Sequence, residues 1–345
     1  MLRFGLLGCG IIGRYHAEAI SGTENAVLQA VADVEGSRAG EFSARYGGTA
    51  YASLEQMLGD PAVDVVSICT ASALHAGQAV ATMKSGRHVV VEKPMAIALS
   101  QCDEMIRTSR ETRKYLAVIF QNRFRPIYRE MKSLIDSGRL GTLVSANAEL
   151  KWYRSQEYYD SGGWRGSWAM DGGGALMNQT IHYVDLLLWL MGPVRAVQAY
   201  TGTLTHDIET EDVAVAALEF ASGALGILQG TTSAYPGLWT RLEVNGEAGA
   251  LAVQNDRFTV RYLADEQDVE AGPYGLPEVP MLAPEKADFS TGWHQEQICE
   301  VIRCIEQDRQ PPIDGLEGRR SVELILAAYD SARTHREVQI RGYQG

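Results

Sequence analysis

The chain has 345 residues, 46% apolar and 21% charged, with a net charge of −12. That length exceeds one ordinary hydrophobic core and fits two domains, while the composition excludes a disordered or membrane-embedded chain. An acidic protein repels phosphate backbones and anionic lipid, so neither nucleic acid nor a membrane is an expected partner.

Leu2–Leu7 is an apolar run of strand length that leads directly into Gly8-Cys9-Gly10-Ile11-Ile12-Gly13, a G-x-G-x-x-G pattern. Residues 14–20 have helical spacing, and 27–33 read as a second strand ending in Asp33. Each part of the pattern has a physical task. Gly8 permits the tight turn, Gly10 lets backbone approach a pyrophosphate, and Gly13 lets the helix pack closely on the strand. The main-chain N–H groups around Ile11 and Ile12 then face phosphate charge at a helix N-terminus. Asp33 lies twenty residues beyond Gly13, where a carboxylate can accept hydrogen bonds from ribose hydroxyls. The expected cofactor is NAD, since Asp33 repels a 2′-phosphate. NADP stays open because Ser37 and Arg38 follow closely.

Alternation continues with a helix over 53–58, a buried strand over 63–68, a helix over 73–85 stopped by Gly86, a strand at His88–Val91, a helix at Leu99–Thr112 and a strand over 115–120. This βα rhythm predicts a doubly wound parallel sheet, a Rossmann domain, over residues 1–122. Ligands of such sheets sit beyond the C-terminal strand ends. Thr70, Ser72, Glu92 and Lys93 lie there, and His75 opens a helix beside them; these are candidate cofactor contacts. Five cysteines without a C-x-x-C pair suggest reduced thiols. No leader peptide is visible and no apolar run nears the ~20 residues of a membrane span, so a cytoplasmic location is expected.

Further on, 144–153, Val213–Phe220, Leu225–Thr231 and 241–244 alternate or are β-prone, which predicts a second, sheet-rich domain. The segment from Lys151-Trp152-Tyr153-Arg154 to Trp164-Arg165-Gly166-Ser167-Trp168 is dense in aromatics and arginine. Aromatic faces suit sugar C–H faces and arginine suits carboxylate or phosphate, so Tyr153 and Arg165 are candidate substrate contacts. Packing at a domain boundary or oligomer interface is the alternative. Arg123 ends the last Rossmann strand and is a further candidate, as is His294 on a later helix. Residues 321–335 have the spacing of a core helix.

Glu92-Lys93-Pro94 behind an N-terminal glycine loop resembles the Gfo/Idh/MocA family of glucose–fructose oxidoreductases and inositol dehydrogenases. Gly172-Gly173-Gly174, the H-x-x-D formed by His182 and Asp185, Glu211-Asp212, and 314–321 agree with it along nearly the whole chain. The resemblance implies an α/β protein whose residues 123–345 form an α+β domain with a large, open, mostly antiparallel sheet, used for substrate binding and oligomerisation. A homodimer or homotetramer is therefore expected. It also implies hydride transfer between a nicotinamide and a secondary alcohol of a sugar, cyclitol or sugar derivative.

In this picture Lys93 contacts the substrate hydroxyl and His182 is the general acid/base. Asp185, one turn on along a helix over 178–191, either tunes His182 or joins the domains. Without the resemblance, His182 reads equally as a core or capping histidine. Many of these dehydrogenases carry aspartate where this chain has Asn178; an amide positions a hydroxyl but carries no charge. Asparagine also occurs in relatives that act on nucleotide-linked sugars. No metal is expected, since His182 and Asp185 are two ligands with nothing to complete a site. Two alternatives remain: a redox-neutral NAD enzyme, such as a glycosidase working through a transient 3-keto sugar, and a non-catalytic dinucleotide-binding regulator. The regulator would be expected to lack Lys93 or His182.

Overall fold

In the computed structural model, which describes residues 1–266 and 292–344, two compact units are present. The first begins with β1 (Leu2–Leu7), α1 (Ile11–Ser21), β2 (Ala26–Ala32), α2 (Gly36–Tyr46), β3 (Thr49–Tyr51), α3 (Leu54–Leu58), β4 (Val65–Ile68), α4 (His75–Lys84), β5 (His88–Val91), α5 (Leu99–Thr112) and β6 (Leu116–Val118). Its six strands pair in parallel in the order β3-β2-β1-β4-β5-β6. The continuous apolar runs of β4, β5 and β6 are buried throughout apart from His88, as expected of strands covered on both faces.

The second unit holds α6 (Pro126–Asp136), β7 (Leu143–Lys151), α7 (Gln156–Asp160), a π-helical turn (Ala175–Thr180), α8 (Ile181–Met191), β8 (Val194–Gly202), β9 (Val213–Phe220), β10 (Leu225–Thr231), β11 (Thr240–Gly246), β12 (Gly249–Gln254) and β13 (Arg257–Leu263). With β14 (Val338–Gln339) these strands form an eight-stranded sheet, β13-β12-β11-β7-β10-β9-β8-β14, in which β10·β7 is the parallel pair. Burial alternates residue by residue along β7, β9 and β11, so one face packs while the other does not. Ala146, Ala148, Leu150, Leu218 and Leu228 are buried, and α8 packs on β7. Tyr200, Val215, Leu225 and Ile227 alternate with buried neighbours and are exposed.

The units do not divide at a single cut after residue 122. The first comprises residues 1–124, 169–172 and, among the described residues, 292–322. The reason lies in α9 (Gly292–Glu306), whose Ile298, Val301 and Ile302 form one apolar stripe. They pack into the same core as Phe4, Leu6, Ile20, Val65 and Val90. Burying three such side chains contributes ~1.5–3 kcal/mol each. Gln297 on the same helix also pairs with the main chain at the end of β6, accepting from the Phe120 N–H and donating to the Val118 carbonyl. The last long helix, α10 (Gly315–Thr334), runs through the division, with residues to 322 in the first unit and the remainder in the second.

Candidate active site

Gly8 adopts φ +97°, a left-handed conformation that a side chain would strain. A Cβ on Gly13 would stand 2.1 Å from the Gly8 carbonyl oxygen, so α1 starts in contact with the loop it follows. Gly10 is the N-cap of α1, makes no side-chain cap, and has no atom within 4 Å of where a Cβ would be. The first N–H groups of α1 are thus left without an internal cap beside open space, which fits a pyrophosphate. Asp33 follows β2 and braces this loop. Its Oδ2 accepts the Cys9 N–H at 2.8 Å and its Oδ1 the Glu35 N–H at 2.9 Å. Each carboxylate oxygen keeps a lone pair for a ribose hydroxyl. Arg38, the residue that kept NADP open, pairs with Glu35 at 3.0 Å. Asp33→Ala is expected to weaken NAD binding more than NADP binding, measured as dissociation constants by fluorescence titration. An equal loss for both would show that the carboxylate only braces the loop.

The loops after β4 and β5 are tied together by His75. Its Nδ1 lies 2.8 Å from the Pro94 carbonyl and its Nε2 3.0 Å from the Thr70 carbonyl, and the ring is buried. Burial lowers the His75 pKa, against the pull of both carbonyls toward the protonated ring. Both ring nitrogens face main-chain carbonyls, and the neutral ring donates to one of them. Thr70 donates its hydroxyl to Gln78 at 2.6 Å, and Ser72 is buried in the turn before α4.

Glu92 is also buried. Its Oε2 accepts the Lys93 N–H at 3.1 Å, and its Oε1 lies 2.9 Å from His16 Nε2 and 3.7 Å from His294 Nε2. Burial pushes the Glu92 carboxyl up, but the hydrogen bond from His16 and the neighbouring His294 ring overrule it and hold the group well below the usual carboxylate range. Burial pulls His16 down, so the ring is neutral, donates through Nε2 to Glu92 and accepts at Nδ1 from the Ser67 hydroxyl at 2.6 Å. The candidate ligand atoms of His16, Glu92 and His294 all lie within 4.8 Å of one another. This constellation is spread over almost the whole sequence, and only folding assembles it. Arg123 sits in a turn (Gln121–Phe124) and is buried in an ion pair with Glu317 at 2.8 Å, so its charge is already engaged within the first unit.

Lys93 belongs to the first unit; Tyr153, Arg165, Asn178, His182 and Asp185 belong to the second. The pattern read as one helix over 178–191 is two pieces. Asn178 lies in the π-helical turn and His182 in the first turn of α8. The Thr180 hydroxyl donates to the Ala175 carbonyl at 2.7 Å, and a Cβ on Gly230 would strike that hydroxyl at 2.2 Å. Such widened turns recur at functional sites. His182 is half-buried, and Asp185, three residues on, is fully buried.

Glu211 anchors the start of the π turn. Its carboxylate accepts from Gly174 N–H at 2.9 Å, Leu176 N–H at 2.8 Å and Tyr329 Oη at 2.7 Å. A Cβ on Gly174 would lie 1.9 Å from the Glu211 carbonyl oxygen, so no larger residue fits there. Burial pushes the Glu211 carboxyl up to about 7, against those three donors. A folded pKa above the unfolded one stabilises fully below the unfolded value of ~4.3 and loses that contribution as pH rises through 7. Thermal stability is therefore expected to decline between about pH 4 and pH 7, by ~3 kcal/mol from this group, and to be flat with respect to it above that. Glu211→Gln should abolish that part of the slope, as read by Tm against pH. An unchanged slope would assign the dependence elsewhere.

The neighbouring Asp212 is held at about 2. Burial opposes this, but N–H donors from Leu204 and Thr205 and the His206 ring prevail. His206 in turn lies 2.8 Å from the Arg154 carbonyl through Nε2. Arg154 and Arg165 then stack against Tyr158, 5.2 and 4.7 Å from its ring centroid. Arg154 also donates to Gln179 Oε1 at 3.0 Å, and Gln179 donates to Asn178 Oδ1 at 2.9 Å. Neither arginine forms an ion pair among the described residues, and Arg154 Nε is buried with no partner there. Tyr153 is partly exposed and packs edge-on against Tyr235 at 5.1 Å. Arg154 was not singled out in the sequence, although its place in the aromatic segment marks it as much as Arg165.

Residues 2–120 match an oxidoreductase family with an NAD-binding Rossmann fold, and residues 128–252 match the GFO/IDH/MocA C-terminal domain. The WlbA dehydrogenase of Bordetella pertussis, crystallised in complex with NADH and UDP-GlcNAcA, is 36% identical, with 99% of each chain covered and a TM-score of 0.87. The myo-inositol 2-dehydrogenase of Thermotoga maritima is 27% identical over 98% of each chain. The inositol 2-dehydrogenase of Rhizobium meliloti is 28% identical, covering 98% of this chain and 99% of its own.

Proposed function

The chain belongs to the Gfo/Idh/MocA family of oxidoreductases, and from this we propose that it oxidises a secondary alcohol on an anionic sugar derivative, a nucleotide-linked sugar or sugar acid. It is an NAD-dependent oxidoreductase of sugars, cyclitols or their derivatives. NAD, when bound, supplies the hydride acceptor. The residues do the rest. The glycine loop and Asp33 hold the dinucleotide, Lys93 steadies the reacting hydroxyl as its oxygen gains charge, and His182 takes the proton. Asp185 tunes His182, and Asn178 positions a hydroxyl without carrying charge.

The substrate class rests on one observation. In a chain of net charge −12, Arg154 and Arg165 flank Tyr158 with no carboxylate partner among the described residues, and Gln179 links Arg154 to Asn178. Two such guanidiniums suit a carboxylate or a phosphate, and Tyr158, Trp152 and Trp164 supply the rings they stack on. The similar WlbA structure with UDP-GlcNAcA supports the same class. We place the enzyme in the cytoplasm. No helix among the described residues is long and apolar enough to cross a membrane, and none of the five cysteines is in a disulfide. The exposed apolar row on the second sheet supports a homodimer or homotetramer.

The test is NADH formation at 340 nm across free sugars, inositols, sugar acids and UDP-linked sugars. Turnover is expected with the anionic compounds. Arg165→Ala should raise KM for them about 10- to 100-fold, the cost of a lost charge-assisted pair. Equal turnover of neutral inositols, unaffected by Arg165→Ala, would overturn the anionic assignment. Retained NAD without net NADH from any of them would favour a redox-neutral reaction.

A further inference from the structure

We infer that His16 and His294 are positioning residues for Lys93, acting through the carboxylate of Glu92. The inference rests on the reading that Lys93 meets the substrate. Four elements of the first unit converge on it: His16 from α1, Ser67 from β4, Glu92 directly after β5 and His294 from α9, all buried. A buried carboxylate is costly unless its oxygens are satisfied. Here the two oxygens are divided. Oε1 takes His16 Nε2 at 2.9 Å with His294 Nε2 at 3.7 Å, and Oε2 takes the main-chain N–H of Lys93 at 3.1 Å. His16 is itself set by Ser67, 2.6 Å from Nδ1.

The orientation of the Glu92 side chain therefore fixes the amide from which the Lys93 side chain departs. On the other side of Lys93, His75 holds the Pro94 carbonyl at 2.8 Å. The lysine's backbone is gripped on both flanks by buried imidazoles from three helices, while its own side chain is only partly buried. An apolar trio at 16, 92 and 294 would fill the same volume without fixing a direction. The polar trio fixes one, and a reacting group displaced by about 1 Å can cost about 100-fold in rate.

The chain contains six lysines, so protein labelled with 15N-lysine gives six amide resonances, and Lys93 is assigned by its loss in Lys93→Arg. In His16→Ala and in His294→Ala, the Lys93 amide is expected to shift and to exchange its hydrogen at least about tenfold faster. The other lysine amides should stay in place. kcat is expected to fall about 10- to 100-fold with the NAD Kd within about twofold. His16→Gln, which returns an N–H donor toward Glu92, should recover most of the rate and the amide position. If His16→Ala does not fold, His294→Ala carries the comparison. A folded variant with an unmoved Lys93 amide, or a rate loss that His16→Gln does not recover, would overturn the inference. A stoichiometric metal ion released by His16→Gln would also overturn it, since the trio would then be a ligand set. If the wild-type protein oxidises no tested alcohol, the oxidoreductase reading fails, while the amide measurement still decides whether the trio holds Lys93.

Discussion

Lys93→Met is expected to lower kcat by about 10²- to 10³-fold while NAD binding stays within about threefold. Methionine keeps the apolar stem and removes the charge, so the variant isolates electrostatics from packing. Lys93 follows β5 directly after Glu92, within a segment where Glu92, Pro94, Met95 and Ala96 are buried and Lys93 is only partly so. A cation held there can stabilise an alkoxide as it forms, an interaction present in the transition state and weak in the ground state. Loss of such an interaction lowers kcat and kcat/KM together. A rise in KM with kcat unchanged would mean that Lys93 binds substrate without taking part in the chemical step.

His182→Gln is expected to lower kcat by about 10²- to 10⁴-fold, the range for loss of a positioned general acid/base. Glutamine retains hydrogen bonding and cannot exchange a proton near neutral pH. The diagnostic is the pH profile. The wild-type rate should rise with pH through the imidazole range, where the unprotonated ring becomes the base, and the residual rate of the variant should be flat there. A variant that keeps the wild-type pH dependence would place the base elsewhere. Asp185 shares the α8 face of His182 one turn on. Asp185→Asn should therefore move the profile toward lower pH by removing a carboxylate that favours the imidazolium; an unmoved profile would leave Asp185 a structural role.

The parts of the molecule legible in the sequence are those whose physics is local. The glycine loop, the helix after it and Asp33 lie within about thirty residues, and each depends on a neighbour along the chain. The apolar runs of β1, β4 and β5 announce a sheet covered on both faces, and the alternation of β9 announces one open face. Lys93 and His182 could be named because their motifs resemble a known pattern.

Other features depended on contacts the sequence does not order. A stripe such as Ile298, Val301 and Ile302 states that α9 buries one face, but not against which sheet. The core around Phe4 and Val65 takes it, which draws the helix into the first unit. The π turn is hidden inside an ordinary apolar helix pattern. It shows itself only once Thr180 bonds the Ala175 carbonyl above Gly230. His75 and Arg123 read as ligand contacts, and only the folded chain sets the His75 ring between two main-chain carbonyls and pairs Arg123 with Glu317.

By itself, then, the sequence determined the two-domain α/β architecture, the dinucleotide loop and the likeness to a family, because propensity, periodicity and glycine sterics act between near neighbours. Only the tertiary structure decided which buried polar groups answer one another. His16 and Glu92 are 76 residues apart, and Glu211 and Gly174 are 37 apart. Burying a charged or polar group is affordable only where a partner is present, and folding alone brings those partners together.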